Sequence, residues 1–416
     1  VFFRALSSQM GVQETGWEMY ESPGFRFKTD LMMGGKGKDF IIEEPYEASL
    51  SLSLSSDCTV HMVSADDREL PLLWERNLGE GKIVFMNFGI MGKAYRGIYG
   101  AAYSLLGEAF AWPVINGSAF YLDDFPSPVP SGTSTYIQRD YGVSVGDFYT
   151  NIWWPDLLEL AEKYGIRYSG MVIEDYSDKR EAPFAANQNT QRFRYFGTEL
   201  LRKGGEIGLH GYNHIPLCME GFDRDFGNGY VPGTYERLFD YDYWNSREDM
   251  RASIEELIRF TEELYPGVTA ATYVPPSNIL SSDARQMLAE DFPQNKAKAS
   301  IYFEGDVEYT QEFEAAEDGI VETPRIISGC VIDSFMEIGA LSELNLHYVN
   351  SHFQHPDDVL DEERGAEAGW EAMRGRLDEY MGWLYGAAPA IRNLTAVEMA
   401  GAVQRYYYLD VTQEIT

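Results

Sequence analysis

AFYLDDFPSPVP, residues 119–130, runs from four apolar residues through two adjacent carboxylates into a turn with three prolines. Proline cannot donate to a sheet ladder, so the spacing predicts a strand that stops with Asp123 and Asp124 at its carboxyl end. Successive residues at a strand end point different ways, which lets one carboxylate hold a cation while the other faces a water. The bland alternative is an Asp pair capping a turn, and on its own the pair more often means that.

Outward from this stretch, short apolar runs alternate with helical segments. DLLELAEKYG, YFGTELLRKGG and REDMRASIEELIRFTEELYPG carry helical spacing; IRYSGMVIED, EIGLHG, TAATYVPPS and LNLHYVNSHF read as strands. Strand and helix in repetition imply a parallel sheet, and this many units fit one closed or nearly closed (β/α) barrel over residues 113–405. Polar clusters fall at the strands' carboxyl ends, where a barrel places its site. Before it, residues 47–64 alternate like half-buried strands, residues 69–90 read as a hairpin, and apolar residues recur at helical spacing from Lys93 to Phe110. Pro113 and Asn116-Gly117 end that pattern, so a smaller α/β domain is expected over 1–112. The motif PLLWERNLGEGKIVFMNFG is similar to the C-terminal half of class I glutamine-amidotransferase-like domains, without a nucleophile-elbow cysteine. Residues 406–416 read as a tail that begins a further domain. VFFRALSSQM reads as the middle of a domain, so an export signal or anchor is expected outside this stretch.

The 66 Asp and Glu against 33 Lys and Arg give a net charge of −33, which repels nucleic acid and anionic lipid. No apolar run reaches the roughly 18 residues of a membrane span, so a membrane would be met only through segments outside this sequence. Cys58, Cys218 and Cys330 lack the spacing of a thiolate zinc site or a disulfide framework.

GGEIGLHGYNH, residues 204–214, holds two of six histidines four apart. Imidazoles at that spacing reach one divalent ion across a turn that Gly211 permits. Two histidines of a surface loop would look the same. Together the two stretches resemble the first and second motifs of the polysaccharide deacetylases, carbohydrate esterase family 4 and its relatives, in the right order and each at a strand end. The resemblance spans about 117–400 and implies a deacetylase-type (β/α) barrel. It implies that Asp124, His210 and His214 hold a divalent metal, most simply zinc, and that Asp123 is the general base. Gly211 stands where the family usually has Ser or Thr.

VNSHFQHPDD places His352 and His355 around the end of a late strand, where the family keeps the histidine that protonates the leaving amine. His355, which precedes a proline, is the favoured acid, with His352 the alternative; either could instead only bond Asp357 or Asp358. TYVPPSNIL occupies the place of a groove-lining motif but lacks the usual arginine, so the group that orients the base is left open, with Asp333 one candidate. Pro275, Pro276, Asn278 and Tyr212 are expected to shape the substrate pocket. His347 reads as strand interior, and His61 belongs to the first domain.

The resemblance implies a bacterial, extracellular or cell-surface hydrolase that removes N-acetyl groups from an N-acetylhexosamine polysaccharide, of exopolysaccharide or cell wall. Two alternatives remain. One is a glycoside hydrolase on the same barrel, pairing Asp123 with Glu206 or Asp333. The other is a barrel that binds carbohydrate without catalysis.

Overall fold

The computed structural model describes residues 2–43, 48–89, 92–220, 241–303 and 308–412. Its large sheet has nine strands: β1 (Gly117–Leu122), β2 (Ser169–Val172), β3 (Glu206–Leu209), β4 (Thr272–Tyr273), β5 (Ala297–Lys298), β6 (Glu314–Ala315), β7 (Val321–Glu322), β8 (Ile327–Ser328) and β9 (Val349–Gln354). The helices used below are α1 (Arg96–Ser104), α2 (Trp154–Tyr164), α3 (Gln191–Arg202), α4 (Arg247–Leu264), α5 (Ser282–Asp291), α6 (Ser334–Leu346), α7 (Trp370–Ala387) and α8 (Ala396–Tyr407).

The strand order is β6-β7-β5-β4-β3-β2-β1-β9-β8, parallel except for β6 against β7. Strands β1, β2, β3 and β9 are buried along their whole length, as parallel strands covered on both faces must be. Alternate side chains separate the two faces. Phe120, Leu122, Val172, Ile207 and Leu209 meet the outer helices, whereas Ala119, Tyr121, Met171, Val274 and Val349 turn inward with Met399 and Val403 of α8.

One segment curls the sheet. Val321, Thr323 and Arg325 donate backbone N–H groups to Lys296, Lys298 and Ser300, while Ile326 and Gly329 donate to Ser351 and Phe353. Residues 321–329 therefore leave β5 and join β9, linking distant positions in the strand order around a buried interior. Local chemistry sets the helix ends. Pro155 opens α2 and Gly165, at φ 70°, closes it; the Ser246 hydroxyl accepts from Asp249 N–H at the start of α4.

The N-terminal residues build an antiparallel five-stranded sheet and a separate two-stranded pair, Val12–Glu21 with Ala48–Leu54. The hairpin expected over 69–90 is Pro71–Leu78 against Gly81–Met86, around Gly79-Glu80. Phe25, Phe27, Phe40, Leu72 and Ile98 share a core with Ile338 and Leu341 of α6. Two expectations shift. The helix from Lys93 stops at Ser104 rather than Phe110, because Leu105 onward leaves the core. His347 caps α6 and bonds Glu343 at 2.5 Å, so it is a helix end and not strand interior. After α8, residues 408–412 form no strand.

The closest approach of α1 to α6 is at Gly97, whose N–H donates to Ser342 Oγ at 2.7 Å and where an added Cβ would lie 2.1 Å from the Ser342 carbonyl oxygen. Gly97→Ala should destabilise the protein by about 1–3 kcal/mol in urea denaturation. Gly100→Ala, one turn on and facing only the Leu346 side chain at 3.4 Å, should be neutral or stabilising by up to about 1 kcal/mol. Equal effects at both positions would contradict this packing.

Candidate metal centre

The carboxyl ends of β1, β3, β4, β7 and β9 surround a pocket of about 1010 Å³. Asp123 continues the β1 ladder, its N–H donating to Gln354, so its side chain points inward like that of Tyr121. Asp124 then takes a left-handed backbone, φ 54°, which turns its carboxylate sideways toward the end of β3. Adjacent carboxylates thus face different partners, as the sequence predicts.

His210 Nε2 lies 3.2 Å and His214 Nε2 3.5 Å from the same atom, Asp124 Oδ1. In each ring the other nitrogen is used for positioning. His210 Nδ1 donates to the Val274 carbonyl at 2.7 Å, and His214 Nδ1 bonds the Tyr241 hydroxyl at 2.6 Å. A carbonyl only accepts, so an uncharged His210 presents a lone pair at Nε2, aimed at a carboxylate oxygen. Burial pushes His214 down to about 4, so that ring is uncharged at neutral pH. Burial also works against the charge of Asp124, but the neighbouring His214 and His210 outweigh it and hold that carboxyl well below its usual range. Asp124 Oδ1 is buried and makes no hydrogen bond.

Three electron-pair donors converging on one point fit a cation. A tetrahedral zinc with bonds of about 2.0–2.2 Å spaces its ligand atoms roughly 3.3–3.6 Å apart, close to the 3.2 and 3.5 Å from the two imidazoles to Asp124 Oδ1. The outer bonds to Val274 and Tyr241 are the kind that fix ligating imidazoles. The connecting turn needs Gly211: its φ is 85°, and a Cβ would sit 2.9 Å from Pro276 Cγ. That crowding explains why Ser or Thr is not found at this position.

TYVPPSNIL holds no arginine, but one reaches Asp123 from another segment. Arg325, three residues after β7, is buried; its Nη1 donates to Asp123 Oδ2 and its Nη2 to Asn278 Oδ1. Its guanidinium carbon lies 4.0 Å from the Phe353 ring centre. The signal was an arginine in VETPR, just past an apolar strand, where sequence spacing alone does not say which site it enters. Asp333, considered for that orienting role, lines the pocket but accepts the Met336 N–H as the cap of α6.

His355 follows β9 and enters the pocket, whereas His352 does not. Strand alternation turns His352 to the outer face, fully buried between Phe120 and Tyr380, with Nε2 bonded to the Gly329 carbonyl at 2.6 Å. His355 Nδ1 lies 3.3 Å from Asp358 Oδ1 and its Nε2 3.9 Å from Asp123 Oδ2. Burial disfavours its charge, but the Asp358 carboxylate more than compensates and raises the ring to about 9. Pro275 and Asn278 line the pocket; Pro276 packs beneath, against Gly211. Tyr212 stands apart from it. Past the Gly211 turn it is buried against Phe184, with its hydroxyl donating to the Ala185 carbonyl.

Glu206, one carboxylate of the glycosidase alternative, sits at the opposite end of β3. Its oxygens accept from Thr272 Oγ1 and Val397 N–H, and four residues of strand, about 13 Å, separate it from His210.

The chain belongs to the DUF2194 family, described as an uncharacterised protein conserved in bacteria, whose profile matches residues 38–416. No curated protein matches it. Among solved structures it is similar to a putative polysaccharide deacetylase from Mycobacterium smegmatis, at 15% identity over 74% of this chain and 98% of that one, TM-score 0.42. It is also similar to BA3943, a CE4 family pseudoenzyme from Bacillus anthracis, at 10% identity over 68% and 65% of the two chains, TM-score 0.35. A third is the peptidoglycan deacetylase PdaC from Bacillus subtilis, at 10% identity over 69% and 91%, TM-score 0.34. All three likenesses are distant, and the chemistry below stands on this chain's own residues.

Breaking the buried Arg325–Asp123 pair from one side leaves a charge without its partner, which costs about 3–5 kcal/mol. Arg325→Met should show a loss of that order in denaturant titration, and Asp123→Asn in the same background should recover part of it. Strict additivity of the two substitutions would contradict the pairing.

Proposed function

We propose that this chain is a metal-dependent hydrolase that removes N-acetyl groups from an N-acetylhexosamine polysaccharide at the bacterial cell surface. The observation that carries the reading is the convergence of Asp124, His210 and His214 beside two further pairs, Asp123–Arg325 and His355–Asp358. In this reading residues 113–405 are the catalytic barrel, 1–112 an amidotransferase-like addition, and 406–416 a tail.

Amide hydrolysis needs an activated water, a stabilised oxyanion and a proton for the departing amine. A divalent ion, zinc by the N/O character of its ligands, supplies Lewis acidity toward the acyl carbonyl and acidifies a water when bound by Asp124, His210 and His214. Asp123 is the base. Arg325 holds its Oδ2, while Oδ1 is buried, makes no hydrogen bond and is left to accept the water's proton. His355 is the acid, charged at neutral pH because Asp358 faces its Nδ1, with Nε2 left to protonate the amine. The net charge of −33 suits a polymer that gains amines as acetyl groups leave.

Acetate release from dimeric and hexameric N-acetylglucosamine oligomers, β-1,4- and β-1,6-linked, tests the reaction. Wild type should release acetate and stop on chelation; His210→Ala should lose both bound metal and activity. Full activity in His210→Ala, or reducing ends without acetate, would overturn the proposal.

The pH profile tests the acid. A ring raised to about 9 is protonated below that pH, so kcat/KM should hold through neutrality and fall as pH rises through about 9. Asp358→Asn removes the charge that opposes burial, so the alkaline limb should move to lower pH. An unmoved limb would exclude His355 as the titrating acid. His355→Ala should lower kcat by about 10²–10⁴.

A further inference from the structure

A second cleft, of about 670 Å³, lies outside the curled sheet between α6 and α7, with Lys38 of the N-terminal residues as its lip. That volume falls within the roughly 300–1,000 Å³ of ordinary small-ligand sites. The cleft adjoins the first pocket. Val331, in the loop between β8 and α6, lines both.

The half-buried Trp383 provides an aromatic base, beside the buried Tyr380 whose hydroxyl donates to Asn350, ring centres 5.7 Å apart and tilted by 34°. The indole N–H is tied to the Gly34 carbonyl at 3.0 Å, and Lys38, paired with Glu337 at 2.8 Å, stands 5.5 Å from the ring centre. The rings are therefore held in place before anything binds. Above them stand Arg376 and Glu379, both exposed on α7.

The pairing along α7 is uneven. Arg374 reaches Asp156 and Glu159, and Asp378 holds Lys163 and Tyr164, so the face toward α2 is laced with ion pairs. Arg376 and Glu379, on the cleft face, make no ion pair or side-chain hydrogen bond among the described residues. A planar five-donor fork and a carboxylate acceptor above fixed aromatic rings match what a pyranose presents: an apolar C–H face and a rim of paired hydroxyls.

We propose that this cleft is a second carbohydrate subsite, occupied by a further hexosamine unit of the chain whose acetamido group lies in the metal pocket, with Val331 as the bridge between them. The inference rests on the functional reading above and gives it a polymer rather than a monosaccharide as substrate. It also gives the N-terminal residues a part in binding, through Lys38 and Gly34. Two linked contacts on one ligand raise its affinity beyond either alone.

Calorimetric binding and acetate release, each with dimeric and hexameric N-acetylglucosamine on the full chain, test the subsite. The test variant is Arg376→Ala/Glu379→Ala, two exposed positions whose loss leaves the core intact. Wild type should bind the hexamer about tenfold more tightly than the dimer, and the double variant should lose that difference while binding the dimer unchanged. Its KM for the hexamer should rise about tenfold at unchanged kcat. Equal affinity of wild type for both lengths, or a double variant that binds the hexamer like wild type, would overturn the subsite even with normal acetate release. A length preference that depends on Arg376 and Glu379, with no acetate from any oligomer, would uphold the subsite and sink the deacetylase reading.

Discussion

His210 Nε2 and His214 Nε2 lie 3.2 and 3.5 Å from the buried Asp124 Oδ1, and the three atoms all lie within 4.8 Å of one another. With lone pairs on both Nε2 atoms, such a meeting is repulsive unless a cation lies among the three. The backbone is set up to force it. A left-handed residue at Asp124, a glycine at 211 and a left-handed His214 aim the three side chains at one point, the two non-glycine residues against ordinary backbone preference. Strain of about 1–3 kcal/mol at each non-glycine position persists because the sheet determines where the strands end.

Asp123 is positioned by the same curling that shapes the sheet. Residues 321–329 cross from β5 to β9, and Arg325 lies at the crossing with its side chain inward beneath Asp123. An arginine on a strand that stayed with one neighbour would not reach both Asn278 and Asp123. Asp123 thus has a guanidinium partner although the loop after β4 carries no arginine. His355 depends on a shorter device. Pro356 and Asp358 open a 3-10 turn right after β9, and that turn brings the Asp358 carboxylate back to both the N–H and the ring of His355.

Much of this was legible in the sequence. Strand ends marked by DDFP and HGYNH, helices with a single apolar face such as α3 and α4, and the hairpin around Gly79 each combine local chemistry with a clear period. What was not legible has physical reasons. Helix α6 is buried from Ile338 to Leu344 because it lies between the large sheet and the N-terminal sheet, so it shows no polar stripe to mark it as a surface helix. His352 and His355 look equivalent in VNSHFQHP, and only the parity of β9 sends one outward and the other into the pocket. Tyr212 has the composition of a groove residue, but the direction of the turn after Gly211 is a three-dimensional fact. Arg325 is the largest omission, since its contact with Asp123 spans 202 residues.

The central claim is that three residues form a cation site. Crystals of the protein soaked in zinc and measured at the zinc absorption edge test it most directly. The account predicts a single strong anomalous peak about 2.0–2.2 Å from Asp124 Oδ, His210 Nε2 and His214 Nε2, with the Val274 and Tyr241 bonds intact. A peak elsewhere, or none with His210 turned to donate from Nε2, would contradict it.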